Sequence, residues 1–557
     1  MKDLRYALYG AVTIALAACN DPLAVSNSNN PDRNGALATA ADLEAFIAST
    51  YAIVHSGTLG SNDAVQPQML TMSMENVSGL NNFAMGPRST LPRNPIENTP
   101  GSLGNTGNLR DYTIEHRAAR LATIALTRLR TLGSLGSPAR DARARAFALF
   151  VQGAGLGNLA LAYDSAVVVT DANTEDAIIP LSGYQDVMTN ALSVLDSAIA
   201  VAQGTPAGAD GFPLPSTWIN GRALSAAQFI QFVHSYKARF RAGVARTPVE
   251  RAAVDWNAVI ADANAGITSD FNITMSPSNG WDVSFATPLF QGSEWHQMSQ
   301  FFMGMADTSG GYDAWLNTPL ATRTPFAVVT PDRRFPPGLD RPAQNAATVP
   351  GTFTTLPYFR NRAPGADRPA DALQMSMYDF ARPTAFNVAN RNGDYPIMTA
   401  AEIRLLAAEG YLRLGTPADI RQAARLINRS RVETGGLPAL DTLTLADTST
   451  VVPGGTACIP RVPDSTPGPT QFKRSRCGNI WDALKYEYRL ETAYVGYGMW
   501  FFAARGWGDL PEGTAIQWPV PFNEMQVRLE LFYPLGGVAQ PGGAAKGNYG
   551  LFQGGVY

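Results

Sequence analysis

Glu487 and Glu491 lie four residues apart, the spacing that puts two carboxylates on one face of a helix. So placed, they could act as a general acid and base, or stand as a like-charge pair held by arginines such as Arg489 or Arg431. The segment is crowded with aromatic residues, and there the ion-pair reading is preferred. Other chemistry is sparse. His55, His116, His234 and His296 show no metal-ligand spacing. Asp171-x-Asn173-x-Glu175 places oxygen ligands at alternate positions, as a calcium loop does. Asp176 stands where that loop needs glycine and Ser182 where it ends in glutamate, so a solvated acidic turn is expected. Gly153-Ala154-Gly155-Leu156-Gly157-Asn158 approaches a dinucleotide-binding turn. It sits inside a helical pattern, where small residues serve close packing. His-Glu-x-x-His, P-loop and Gly-x-Ser-x-Gly patterns are absent. The expectation is a chain without catalytic residues, metal or cofactor.

What remains is aromatic. The stretch 76–110 offers Asn81, Asn82, Phe83, Arg88, Arg93 and Asn94, and a later stretch offers Trp281, Trp295, His296, Tyr312, Asp313 and Trp315. Ring faces with amide and guanidinium donors suit carbohydrates and similar ligands. Asn81, Asn82, Arg88, Trp281, Trp295, Tyr312 and Trp315 are the candidate ligand contacts. The competing reading makes the tryptophans plugs that seat a loop-rich layer on helices.

The 557 residues carry 43 basic and 46 acidic side chains, a net charge of −3, without a basic block, which argues against a nucleic-acid partner. Lys2 and Arg5 precede an apolar run ending in Leu16-Ala17-Ala18-Cys19. That order is a secretory signal, and a cysteine at the cleavage point resembles a lipobox. Removal of residues 1–18 would leave Cys19 as an acylated N-terminus, with 19–38 as a polar tether; an ordinary signal peptide with a chance cysteine is the alternative. Acyl chains contribute roughly 0.8 kcal/mol per buried methylene, so a chain so modified stays on a membrane. Cys458 and Cys477 remain, in a Pro-, Thr- and Ser-rich stretch. An exported protein would join them, closing a surface loop at a gain of about 3 kcal/mol; two free thiols are the alternative.

Helices are expected over 39–54, 111–132, 138–162, 184–202, 224–246, 249–265, 399–414, 418–431 and 479–505. They come in consecutive pairs, which predicts a mainly α, helical-hairpin array, tetratricopeptide-like without its consensus. Residues 57–109 read as one long loop, and 270–396 as a loop-rich overlay with short strands.

Three blocks then carry a resemblance. Tyr395-Pro396-Ile397-Met398-Thr399-Ala400-Ala401-Glu402 runs into a helix through Ala408-Glu409. Ala423 to Arg431 leads to Gly436-Leu437-Pro438. Glu487-Tyr488-Arg489-Leu490-Glu491-Thr492-Ala493-Tyr494-Val495-Gly496 is followed by Trp500, Arg505, Gly506 and Gly508, then Trp518-Pro519-Val520-Pro521. In order and spacing these resemble the SusD/RagB family of outer-membrane nutrient-binding lipoproteins; Thr399, Tyr488, Gly498 and Phe502 depart from its pattern. The resemblance implies one SusD-like domain over 39–557, with scaffold at about 39–269 and 397–522 and overlay at about 270–396. It also implies a surface protein, anchored through Cys19, that binds glycans or peptides. Its partner would be a SusC-like TonB-dependent barrel transporter. A secreted lipoprotein hydrolase built from scattered Asp and Glu is the rival reading.

Overall fold

The computed structural model describes residues 37–79, 81–90, 93, 96–170, 173, 178–205, 210–284, 297–319, 322–347, 351–362, 376–464, 474–511 and 513–533. Cys19, the signal segment and nearly all of the tether fall outside them. The scaffold helices are α1 (Ala40–Thr58), α2 (Asn105–Leu132), α3 (Pro138–Ala162), α4 (Tyr184–Gln203), α5 (Ala226–Gly243), α6 (Trp256–Asn264), α7 (Ala400–Leu414), α8 (Pro417–Asn428), α9 (Ile480–Thr492) and α10 (Met499–Trp507). Shorter helices are named by their residues.

Side-chain caps start most of them. Thr39, Ser137, Asp255, Thr399 and Thr416 each accept a backbone N–H of the first turn, and Ser225 and Asn479 form capping boxes with Gln228 and Asp482. Each helix packs on the next from α1 to α8, and α7 also packs on α9, so the array is continuous and tetratricopeptide-like. α3 is its axis. From Ala146 to Ala162 it is buried all round except for the half-buried Leu149. Its glycines admit the neighbours: a Cβ on Gly157 would stand 2.0 Å from the Phe240 ring, and one on Gly153 2.7 Å from Leu195. The near-dinucleotide motif is therefore a packing seam. At the C-terminus of α3, Arg246 donates to Ala160 and Tyr163 oxygens at 2.9 and 2.6 Å, and Arg505 donates to the Leu161 oxygen at 2.8 Å. Two guanidinium groups thus satisfy carbonyls the helix itself leaves unpaired.

Three expectations need correction. The helix expected over 249–265 is two, Pro248–Ala252 and α6, because Asp255 caps the second. The helix over 479–505 breaks between α9 and α10, where Tyr494, Gly496 and Gly498 have φ of 55°, 71° and 62°. Space as well as φ requires glycine there: a Cβ on Gly498 would meet Met69 Sδ at 2.4 Å. Gln66 locks the break, donating to the Gly496 oxygen at 3.1 Å and accepting Gly498 N–H at 2.7 Å. Gln66 belongs to the buried helix Gln66–Met72, so 57–109 is not one loop.

Over this scaffold lie short helices and two-stranded antiparallel pairs. Phe271–Met275 pairs with Gly393–Met398, joining the start of the overlay to its end. Asn76–Val77 pairs with Gln297–Met298, and Phe359–Asn361 with Tyr378–Phe380.

Glu75, beside the first of these, is buried and accepts Tyr494 N–H at 2.6 Å. Burial pushes its carboxyl up to about 8, and likewise lifts Asp164 to about 8 and Asp111 to about 7. A raised carboxyl holds its proton in the folded chain after the unfolded chain has lost it. The stability it lends is whole below the ordinary carboxyl range and drains as pH rises toward the folded value. His55 and His116, pushed by burial down to about 4, act oppositely, but only below the ordinary 6.5. Between pH 6.5 and 8 the carboxyls alone set the sign, so the melting temperature should fall across that window. Glu75→Gln removes one proton from the balance, worth at most about 1.4 kcal/mol per pH unit, and should flatten the slope. Thermal melts with equal slopes for both chains would contradict this.

Candidate functional site

The carboxylates of the first and third blocks are buried, and arginines from elsewhere in the chain meet them. Arg239 on α5 forks onto Glu402 at 2.7 Å through both Nε and Nη2. Arg251 forks onto Glu409 at 2.9 and 2.6 Å. Burial alone would raise Glu409; Arg251 and Arg413 outweigh it and hold the carboxyl below its ordinary value. Arg334, from the overlay, reaches Glu487 at 2.5 Å, Glu491 at 3.3 Å and Asp332 at 2.8 Å, and is itself fully buried. Tyr486 and Tyr358 hydroxyls donate to Asp332 and Glu491 at 2.9 and 3.0 Å. Glu487 and Glu491 are therefore an ion-pair knot closed to solvent. Its arginine is Arg334, which sequence spacing did not single out. Arg489 instead meets Asp509 at 2.7 Å, and Arg431 donates to the Pro438 oxygen at 2.7 Å.

Beside this knot opens a cleft of about 220 Å³. Its floor is aromatic: Phe301 and Phe302 from the overlay, Tyr486 from α9 and Trp500 from α10. Phe302 stands edge-on to Trp500 with centroids 4.6 Å apart. Trp500 donates its indole N–H to the Arg489 oxygen at 2.8 Å, which fixes the ring. The rim carries Lys485 and Arg489, one helical turn apart, with Asp509 between them at 2.8 and 2.7 Å. Burial would raise Asp509; Lys485 and Arg489 outweigh it and keep the carboxyl below its usual range. The volume is below the roughly 300 Å³ at which pockets for drug-sized ligands begin, so it suits one residue of a larger ligand. Among the described residues no group of three His, Cys, Asp or Glu could hold a metal ion.

The far wall is the hairpin Arg461–Pro463 with Ser475–Cys477, whose Val462 and Pro463 face the cleft. A Cys458–Cys477 disulfide, Cα atoms 5.7 Å apart, ties the hairpin's base. Asp313 ties its edge, accepting Ser475 N–H and Oγ–H at 2.5 Å each.

The structure distributes the sequence candidates differently. Trp281 is buried against Tyr51 and His55, on the scaffold side. Tyr312 is wholly buried and donates to the Phe301 oxygen at 2.8 Å, so it supports the cleft floor from beneath. Trp315 is 4% exposed, with the Arg323 guanidinium 4.4 Å above its ring. As placed, these three rings pack and offer no open face. Asn81 and Asn82 are exposed, and Arg88 is buried, its carbonyl accepting from Arg93. Trp295, His296 and Asn94 lie outside the described residues. Of the acidic turn, Asn173 accepts the Thr170 N–H at 2.8 Å; Asp171 and Glu175 also lie outside. The two stretches do meet, through Asn76–Val77 on Gln297–Met298, and Ser73 and Met74 line the cleft. Sequence reasoning gives Arg489 only as a partner for Glu487 and Glu491 and does not single out Lys485 or the Phe301-Phe302 pair; the i, i+4 cations on a helix ending in a glycine break are the available signal.

Asp313 has a testable role. Asp313→Ala should raise amide exchange several-fold in 461–463 and 475–477 while leaving α7 unchanged. Mass-spectrometric exchange showing no change in the hairpin, or an equal rise in α7, would contradict the clamp.

No protein-family profile and no curated protein sequence matches the chain. Among solved structures it is similar to a SusD superfamily protein from Bacteroides thetaiotaomicron, at 12% identity and TM-score 0.49, covering 88% of this chain and 96% of that one. It is similar to a SusD superfamily protein from Bacteroides vulgatus at 10% identity and TM-score 0.47, over 85% and 89%. A SusD homologue from Parabacteroides distasonis is similar at 16% identity and TM-score 0.44, over 69% and 72%. Its structural neighbours are thus SusD-like proteins matched over most of the chain.

Proposed function

We propose that this chain is a surface lipoprotein of the SusD/RagB kind. It binds nutrient ligands, glycans first and peptides second, and passes them to a TonB-dependent outer-membrane transporter. The observation that carries this reading is the fate of the block carboxylates. Glu402, Glu409, Glu487 and Glu491 are each engaged by a buried arginine, so none is poised to move a proton. A hydrolase needs such groups open to substrate; a binding protein needs them only as latches. Beside the third block lies instead a small cleft with a polar rim over packed aromatic rings, the chemistry of holding rather than cutting. Attachment through Cys19 rests on the Leu16-Ala17-Ala18-Cys19 site; no described helix is long and apolar enough to cross a membrane.

Screening the mature chain on glycan and peptide arrays, followed by time-resolved product analysis of each hit, should give binding without turnover. Product formed by purified protein would favour the hydrolase, and an empty array would remove the binding reading. In the same cells, Cys19→Ala should release the protein from membranes after a high-salt wash. Retention would defeat the anchor.

A further inference from the structure

The rim of the cleft has more donors than it can use. Asp509 is already shared, accepting Lys485 on one oxygen and Arg489 on the other at 2.8 and 2.7 Å. Asp482 is occupied too, accepting Asn479 N–H at 3.0 Å and Arg476 at 3.2 Å. Lys485 has three N–H donors and Arg489 five, so both keep donors beyond the bond each gives Asp509. Three cations, Arg476, Lys485 and Arg489, face two carboxylates on this rim. The floor below is apolar and nearly dry: Phe301, Phe302 and Trp500 are no more than 4% exposed. Charge-assisted bonds formed over such a floor are stronger than in open water. A neutral sugar hydroxyl would use this surplus poorly, whereas a carboxylate accepts from both cations at once.

We propose that the cleft seats the carboxylate of a residue-sized organic acid, bonded by Lys485 and Arg489 above a floor of packed aromatic rings. This rests on the ligand-binding reading above and narrows its ligand class. The shared chemistry has two sources, a hexuronate unit of an acidic glycan and the C-terminal residue of a peptide. Each is tested against its own neutral partner.

The probes are digalacturonic acid with its methyl ester, and Ala-Ala-Phe with its C-terminal amide. They are titrated calorimetrically into the full mature chain at low and at high salt. One acid should bind about tenfold more tightly than its neutral partner, and salt should shrink the difference. Lys485→Gln and Arg489→Gln should each abolish the preference at a temperature where circular dichroism shows the variant folded, the acid losing more affinity than its neutral partner. Arg489→Lys, which keeps the charge but loses the fork, should retain part of it. Equal binding of acid and neutral partner, or charge variants that leave acid binding intact, would overturn the proposal. Absence of binding by all four probes also overturns it. If the arrays still find a neutral ligand, the binding reading survives; if they are empty, both fall.

Discussion

A guanidinium buried among carboxylates is the constraint on which the rest of this molecule depends. Arg334, Arg251 and Arg239 are each almost completely out of water, as are the glutamates they hold. Removing one partner of such a pair leaves an uncompensated buried charge, at a cost on the order of 3–5 kcal/mol. The complete pair adds little stability beyond a packed apolar substitute, so its contribution here is register. Each arginine comes from a different part of the chain than its glutamate, and each pair permits only one seating of the two parts. Arg239 and Arg251 seat the α5 side of the array on α7. Arg334 seats the overlay on α9.

The cleft is a by-product of that seating. Asp332, bound by Arg334, accepts the Tyr486 hydroxyl, so the knot aims one ring of the floor. The break between α9 and α10 then turns Trp500 toward Phe302, and Gln66 holds the break open from the far side. Tyr312 and Asp313, adjacent in the chain, support opposite sides of the opening: one holds Phe301 in the floor, the other holds Ser475 in the wall. None of these supports need touch a ligand. They set where the two rim cations stand over the packed floor, which is where specificity would be decided.

The scaffold was legible wherever local chemistry set it. Thr39, Ser137-Pro138, Thr399 and Thr416-Pro417 mark helix starts that the structure reproduces to within a residue or two, and Gly415 ends α7 at φ 76°. The break at 493–498 was not legible, because Tyr494 adopts a left-handed conformation that only its tertiary contacts justify. The candidate site was less legible still. Trp281, Tyr312 and Trp315 sit in a segment without helical period, and nothing local distinguishes a ring that packs inward from one that faces out. Arg334 carries no spacing signal toward Glu487, since 153 residues separate them. Long-range pairing of that kind is invisible to periodicity.

One buried knot registers the overlay and thereby shapes the cleft. Native-state hydrogen exchange on Arg334→Gln tests it most directly. Protection should be lost in 297–316, 359–361 and 378–380, with α3 and α4 exchanging as in the parent chain. Uniform loss across the molecule, or no loss in the overlay, would contradict it.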